Sequence, residues 1–271
     1  MTAMPPMLYG TAWKKEATAD CVERALRAGF RGIDTACQPK HYDEAGVGAG
    51  IAACADVVTR AQLYLQTKFT PLDGQDSARI PYDSRAPLAE QVEQSFAASL
   101  RNLGTDHLDA LVLHSPLRDA TQMAAVWQAM ERLVDAGGVR RIGISNCYSL
   151  GVLERLHGNA RIKPSIVQNR FHAETNYDAT VRAFCCAHGI VYQSFWTLTA
   201  NPHLLAHRTL RSIATRYGRT PAQILFRALN HEGIVPLTGT RSDAHMREDL
   251  AISDFELGAE ERAGIKSLLR A

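Results

Sequence analysis

The chain has 271 residues, 46% of them hydrophobic, with 30 Lys and Arg against 28 Asp and Glu. That is enough chain to bury a large core, and the near-neutral balance offers no electrostatic grip on nucleic acid or a membrane surface. Six scattered cysteines form no CxxC pair, and no run reaches the ~18 apolar residues of a membrane span. The amino-terminal MTAMPPMLYGTAW has no signal-peptide core, so the expectation is a cytoplasmic protein with reduced, partly buried thiols.

Short apolar runs alternate with helical patterns along the chain. MLYGT (7–11) reads as a strand, and DCVERALRAGF (20–30) as a helix ending near Gly29. FRGIDTA (30–36) is strand-like, EAGVGAGIAAC (44–54) helical, and QLYLQTKF (62–69) a strand rich in aromatic and branched residues. LAEQVEQSFAASLRNLG (88–104) predicts an amphipathic helix closed by Gly104. The alternation continues with strands at 107–115, 140–145, 165–169, 189–196 and 232–239, and helices at 124–138, 149–156, 178–189, 210–218, 221–229 and 245–252. Pro221 falls at a tolerated first-turn position. A terminal helix is expected at 259–269. Eight strand–helix units without a linker predict an α/β chain, a single (β/α)8 barrel over residues 1–271. No GxGxxG follows an early strand, which argues against an open dinucleotide-binding sheet.

In such a barrel the active site lies at the carboxyl ends of the strands. Strand two ends in GID with Asp34, strand three in QTKF with Lys68, and strand four in LVLHS with His114. Strand five ends in GISN with Ser145 and Asn146, and strand six in IVQN with Gln168 and Asn169. Each residue alone has an ordinary explanation: a rim charge, a hydrogen-bonded structural histidine, a helix cap. Ionisable groups ending three successive strands instead predict a polar cluster, in which Asp34 and Lys68 can pair across adjacent strands.

GIDTA with its Tyr-containing loop, TKF, LVLHS, GISN, VQN, PAQILFRAL, IVPLTGT and HMREDL stand in the order found in the aldo-keto reductase family, which the chain resembles over nearly its whole length. The resemblance implies an NAD(P)H-dependent reductase of aldehydes or ketones with a catalytic Asp, Tyr, Lys and His. Asp34, Lys68 and His114 match by motif. The usual pattern runs D-T-A, two residues, Y, two residues, E, whereas Tyr42 stands eight residues after Asp34 and two before Glu44. Tyr42 is the only Tyr in the loop and is expected to be the general acid, with His41 as the fallback. Lys68 would stabilise the phenolate, Asp34 would aim Lys68, and His114 would donate to the carbonyl oxygen.

The resemblance further implies that Ser145, Asn146 and Gln168 hold a nicotinamide carboxamide. Phe195 would stack on the ring where the family usually has Tyr. At the adenosine end, Leu237 stands where a Lys is frequent and His245 where an Arg is usual, while Glu248 and Asp249 fit the adenine side. Thr238, Gly239, Thr240 and Arg241 are expected to cradle a 2′-phosphate. NADPH is the expected cofactor, with NADH or dual use open. Trp13 and Trp196 are candidate substrate walls. The short loop after strand four, and a chain that stops soon after its terminal helix, predict an open pocket tolerant of varied carbonyl substrates. A monomer or weak homo-oligomer is expected, with no nucleic-acid or membrane partner and no metal. A catalytically weak NADPH-binding sensor or regulatory subunit is the competing reading. An isomerase or aldolase using Lys68 as a Schiff base is opposed by the Asp34 ion pair.

Overall fold

The fold was analysed in a computed structural model that describes residues 3–270. Eight parallel strands close into a barrel in sequence order: β1 (Leu8–Gly10), β2 (Gly32–Asp34), β3 (Tyr64–Phe69), β4 (Ala110–Leu113), β5 (Ile142–Ser145), β6 (Ile166–Arg170), β7 (Val191–Phe195) and β8 (Ile234–Thr238), which pairs back onto β1. The chain is therefore a (β/α)8 barrel, as its strand–helix alternation predicts.

The helices α1 (Thr18–Ala28), α2 (Glu44–Ala52), α3 (Leu88–Leu103), α4 (Ala120–Asp135), α5 (Leu150–Asn159) and α6 (Ala179–Ala187) each follow their strand. Three helices, α7 (Pro202–Ala206), α8 (Arg208–Tyr217) and α9 (Pro221–His231), stand between β7 and β8, and α10 (Asp243–Leu250) and α11 (Ala259–Ser267) complete the chain. The sequence pattern marks α8 and α9 but gives no sign of the short α7. Expected boundaries hold where a physical stop exists: Gly104 ends α3 in the left-handed conformation at φ 64°. Pro221 occupies the first turn of α9, and Thr220 accepts from Gln223 N in a capping box. All six cysteines are unpaired, and Cys186 is the one exposed thiol. Among the described residues no helix is long and apolar enough to cross a membrane.

The two-residue period of a strand sorts each side chain into one of two cores. Outward residues such as Ile33, Leu65, Phe69, Leu111 and Leu113 join the helices in the main apolar cluster. A smaller cluster of Leu8, Tyr64, Ala110, Val112 and Ile166 fills the barrel's interior. Gly143 makes room for it, since a Cβ there would sit 2.7 Å from Ile166. Above this apolar floor the interior turns polar, which positions the site.

Candidate active site

The alternation on β3 stacks Tyr64, Gln66 and Lys68 up the barrel, with the Tyr64 hydroxyl donating to Gln66 Oε1 at 3.2 Å. Register places Asp34 beside Gln66, and Gln168 between Ser145 and Gln193. The result is a closed polar layer. Asp34 Oδ1 accepts from Gln66 Nε2 at 2.7 Å and Gln168 Nε2 at 2.9 Å, and Gln193 Oε1 accepts from the same two amides. Lys68 Nζ donates to Asp34 Oδ2 at 2.7 Å and to the Thr35 carbonyl at 2.8 Å. Both members of the pair are fully withdrawn from water. Burial drives the Lys68 ammonium below its ordinary value, and Asp34 pulls against that shift.

The Tyr42 loop absorbs its extra length in a turn. The Gln38 carbonyl accepts from both His41 N and Tyr42 N, and the Gln38 side chain is tied to Gly74 O at 2.7 Å. Asp43 then caps α2 by accepting from Gly46 N. Glu44 is anchored by Thr67 and Ser99. The displaced Tyr42 is thereby delivered beside Lys68, whose Nζ lies 5.3 Å from the ring centroid. His114 packs edge-on to the same ring, centroid to centroid 5.9 Å. Burial, reinforced by Asp34, holds the Tyr42 hydroxyl above its ordinary pKa and therefore protonated. Burial, with the nearby charges of Lys68 and His41, pulls His114 down to about 3, leaving the imidazole neutral. Its Nδ1 lies 2.7 Å from Thr70 Oγ1.

These groups open onto a cavity of about 560 Å³ at the barrel mouth. Asp34, Tyr42, His114, Ser145, Asn146, Gln168 and Phe195 all line it, together with Trp13, Trp196, Thr238, Gly239 and Thr240. Lys68 lies beneath them. Ser145 Oγ donates to Gln168 O, and Asn146 Nδ2 to His114 O, which fixes both side chains against the strand ends. Three of the cavity's residues, Trp13, Asn146 and Trp196, hold positive φ of 63°, 53° and 55°, a conformation Asn tolerates and a bulky Trp does not favour. Trp13 packs against His41 with centroids 3.7 Å apart and the rings tilted by 34°, and Arg170 lies over the Trp196 ring at 4.6 Å.

Not every expected cofactor residue reaches the cavity. Arg241, His245, Glu248 and Asp249 lie outside its lining. Arg241 donates to Trp13 O at 2.8 Å, bracing the loop after β8 against the loop after β1. Asp249 accepts from Thr238 Oγ1 at 2.7 Å, and burial raises its carboxyl to about 6. A residue the sequence reading missed lies behind the rim at Gly239, itself outside the cavity lining. Lys14 is 2% exposed, and its Nζ donates to Gly239 O at 2.7 Å. No carboxylate among the described residues pairs with it, and burial lowers the ammonium to about 8. The ammonium is met by that carbonyl and by the face of the Tyr9 ring, 4.8 Å from Nζ, with no opposite charge beside it.

The sequence profile of the Aldo/keto reductase family matches residues 6–270. The chain belongs to that family. It is 31% identical over 253 residues to the glyoxal reductase of Bacillus subtilis, an alignment covering 93% of this chain and 83% of the relative. Among solved structures it is similar to an aldo/keto reductase from Brucella melitensis, at 29% identity and a TM-score of 0.82, covering 98% of this chain and 95% of that one. It is also similar to a Bombyx mori aldo-keto reductase in complex with NADP, at 27% identity and a TM-score of 0.81, covering 97% and 89%.

Proposed function

We propose that this chain reduces the carbonyl group of small aldehydes or ketones with a reduced nicotinamide cofactor, preferentially NADPH, and that Tyr42 is its general acid. The observation that carries the reading is the meeting of Tyr42 and His114 at the floor of one cavity, directly above the buried Lys68–Asp34 pair. The family membership and the NADP-bound Bombyx mori relative support the same chemistry.

The residues divide the work. A bound nicotinamide supplies the hydride. Ser145, Asn146 and Gln168 present hydroxyl and amide groups suited to its carboxamide, and Phe195 presents a ring face. Thr238, Gly239 and Thr240 line the cavity toward the phosphate-bearing end, and Lys14, buried behind Gly239, supplies positive charge there that Leu237 does not. A general acid must hold its proton until charge develops on the substrate oxygen, and the Tyr42 site does so. As that oxygen becomes alkoxide-like, the phenol proton passes to it, and the Lys68 ammonium stabilises the phenolate left behind. Asp34, held by two glutamine amides, keeps Lys68 charged and aimed. In the tautomer whose Nδ1 accepts from Thr70 Oγ1, neutral His114 carries its N–H on Nε2, and in this reading it orients the carbonyl oxygen without transferring a proton of its own. Trp13 and Trp196, 52% and 46% exposed, form the outer walls of an open mouth, consistent with tolerance of varied carbonyl substrates.

The test is NADPH and NADH oxidation with an aldehyde panel, for the wild type and Tyr42→Phe. Turnover in the variant should fall about 10²–10⁴-fold with cofactor affinity unchanged. Undiminished turnover would move the acid to His41 or His114. A wild type that binds cofactor tightly but turns over no carbonyl would favour a sensor.

A further inference from the structure

A second cavity, about 640 Å³, lies on the outside of the barrel between α4 and α5, away from every residue given a role above. Its floor is apolar. Met123 and Trp127 come from one face of α4 at helical spacing, and Leu156 faces them from α5. Trp127 is pinned in place by its Nε1–H, which donates to Ile162 O at 3.0 Å.

The rim carries the charge that selects an occupant. Arg118, Arg155 and Arg161 line the groove against a single carboxylate, Glu131. That carboxylate is turned inward, accepting from Ile162 N and facing Arg161, whose guanidinium also pairs with Asp135. Arg118 and Arg155 are exposed, and neither forms an ion pair among the described residues. An apolar trough lined by two uncommitted guanidinium groups complements a molecule with a hydrocarbon tail and an anionic head. A nucleotide would leave the trough unfilled, and a neutral lipid would leave the arginines unread.

We propose that this groove binds an amphiphilic carboxylate of the medium-chain fatty-acid type, its tail on Met123, Trp127 and Leu156 and its head on Arg118 and Arg155. The groove wall at Pro116 and Leu117 begins two residues after His114, so the occupant lies against the segment that carries a site residue.

Trp127 is one of three tryptophans, so Trp13→Phe with Trp196→Phe leaves it as the single tryptophan, at the groove floor and selectively excited over the tyrosines at the red edge of its absorption band. In that background sodium decanoate should shift the emission saturably. Arg118→Ala with Arg155→Ala should weaken the response at least about tenfold, as expected for losing charge-assisted hydrogen bonds. Ala124→Phe, which fills the groove from an exposed helical position, should abolish it. Equal binding of 1-decanol would overturn the proposal, because the head group would then be unread. So would a silent Trp127 while decanoate competes with the aldehyde substrate in the wild type, which would place the ligand in the barrel mouth. Self-association of the wild type that Ala124→Phe abolishes would assign the groove to a second copy instead.

Discussion

Lys68 and Lys14 are both withdrawn from water, but only Lys68 has a carboxylate. Around Lys68 every strong group is answered: the ammonium by Asp34 and Thr35, Asp34 by Gln66 and Gln168, and those amides by Gln193. Around Lys14 the protein offers one carbonyl and the face of the Tyr9 ring, and no carboxylate. The first arrangement is complete without a ligand, which fits the proposed role of Lys68 as a fixed charge beside Tyr42. The second lacks an opposite charge, which fits the proposed role of Lys14 toward the cofactor's phosphates. Burial is common to both, so on the proposed reading it is the partner, and not the depth, that separates the two lysines.

Breaking the complete side should have the largest effect. Lys68→Met removes the phenolate's stabiliser and leaves Asp34 buried and unpaired. Turnover should fall by about 10²–10⁴-fold, and chemical denaturation should show a loss of about 3–5 kcal/mol. Adding Asp34→Asn to Lys68→Met removes the orphaned charge, so stability should recover in part while turnover does not. A single variant as stable as the wild type would show that the pair is not the closed unit its geometry describes.

Lys14→Met sharpens the other side, and its sign is opposite for stability. Removing a cation that lacks a carboxylate should leave the apoprotein at least as stable at neutral pH. NADPH affinity, read by quenching of intrinsic fluorescence, should fall about tenfold to a hundredfold, the range for a lost charge-assisted contact of about 1.5–3 kcal/mol. An equal loss for NADH would place the contact at the shared pyrophosphate, and a loss confined to NADPH would place it at the 2′-phosphate. The folded ammonium titrates near 8 against 10.5 for a free lysine. Between those values the unfolded chain binds the extra proton, so Lys14 makes the wild type gain stability as pH rises through that window. The gain should be missing in Lys14→Met. Phosphate binding restores the proton, so wild-type NADPH affinity should decline as pH climbs above about 8, and the variant's should not.

The same contrast explains what could be read from sequence. Asp34, Lys68 and His114 were legible because each ends an apolar strand, and strand ends in a barrel converge whatever the loops do. Gln66 carried a signal too: it shares the inward parity of Tyr64 and Lys68, and Gln193 is its counterpart on β7. Tyr42 was legible as a residue type but not as a position, because the turn at Gln38 that absorbs the extra loop length rests on a bond to Gly74, far along the chain. Lys14 was not legible. In Lys14-Lys15-Glu16 nothing separates a buried lysine from a solvated one. The distinction comes from a positive φ at Lys15, a closing β1–β8 contact and a carbonyl 225 residues away. The adenosine-side residues were read from motif alignment, which gives chain order but not the inward turn that commits Asp249 to Thr238.

The smallest expected effect concerns His114, where the complete side of the site meets the substrate. A histidine near 3 does not titrate across the working range, so the pH profile of kcat/KM should show no acid limb near the ordinary imidazole value. What the imidazole needs is the correct tautomer, and Thr70 Oγ1 is the group placed to set it. Thr70→Val keeps the shape and removes the hydroxyl. It should lower kcat/KM by about two- to tenfold, the worth of one neutral hydrogen bond, with cofactor affinity unchanged, because Thr70 does not line the cavity. If the variant instead acquires an acid limb, the hydroxyl was holding the imidazole neutral as well as oriented. If kcat/KM is unmoved, the Nε2–H tautomer is fixed by the cavity itself, and the network around Asp34 and Lys68 reaches one residue less far than its bonds imply.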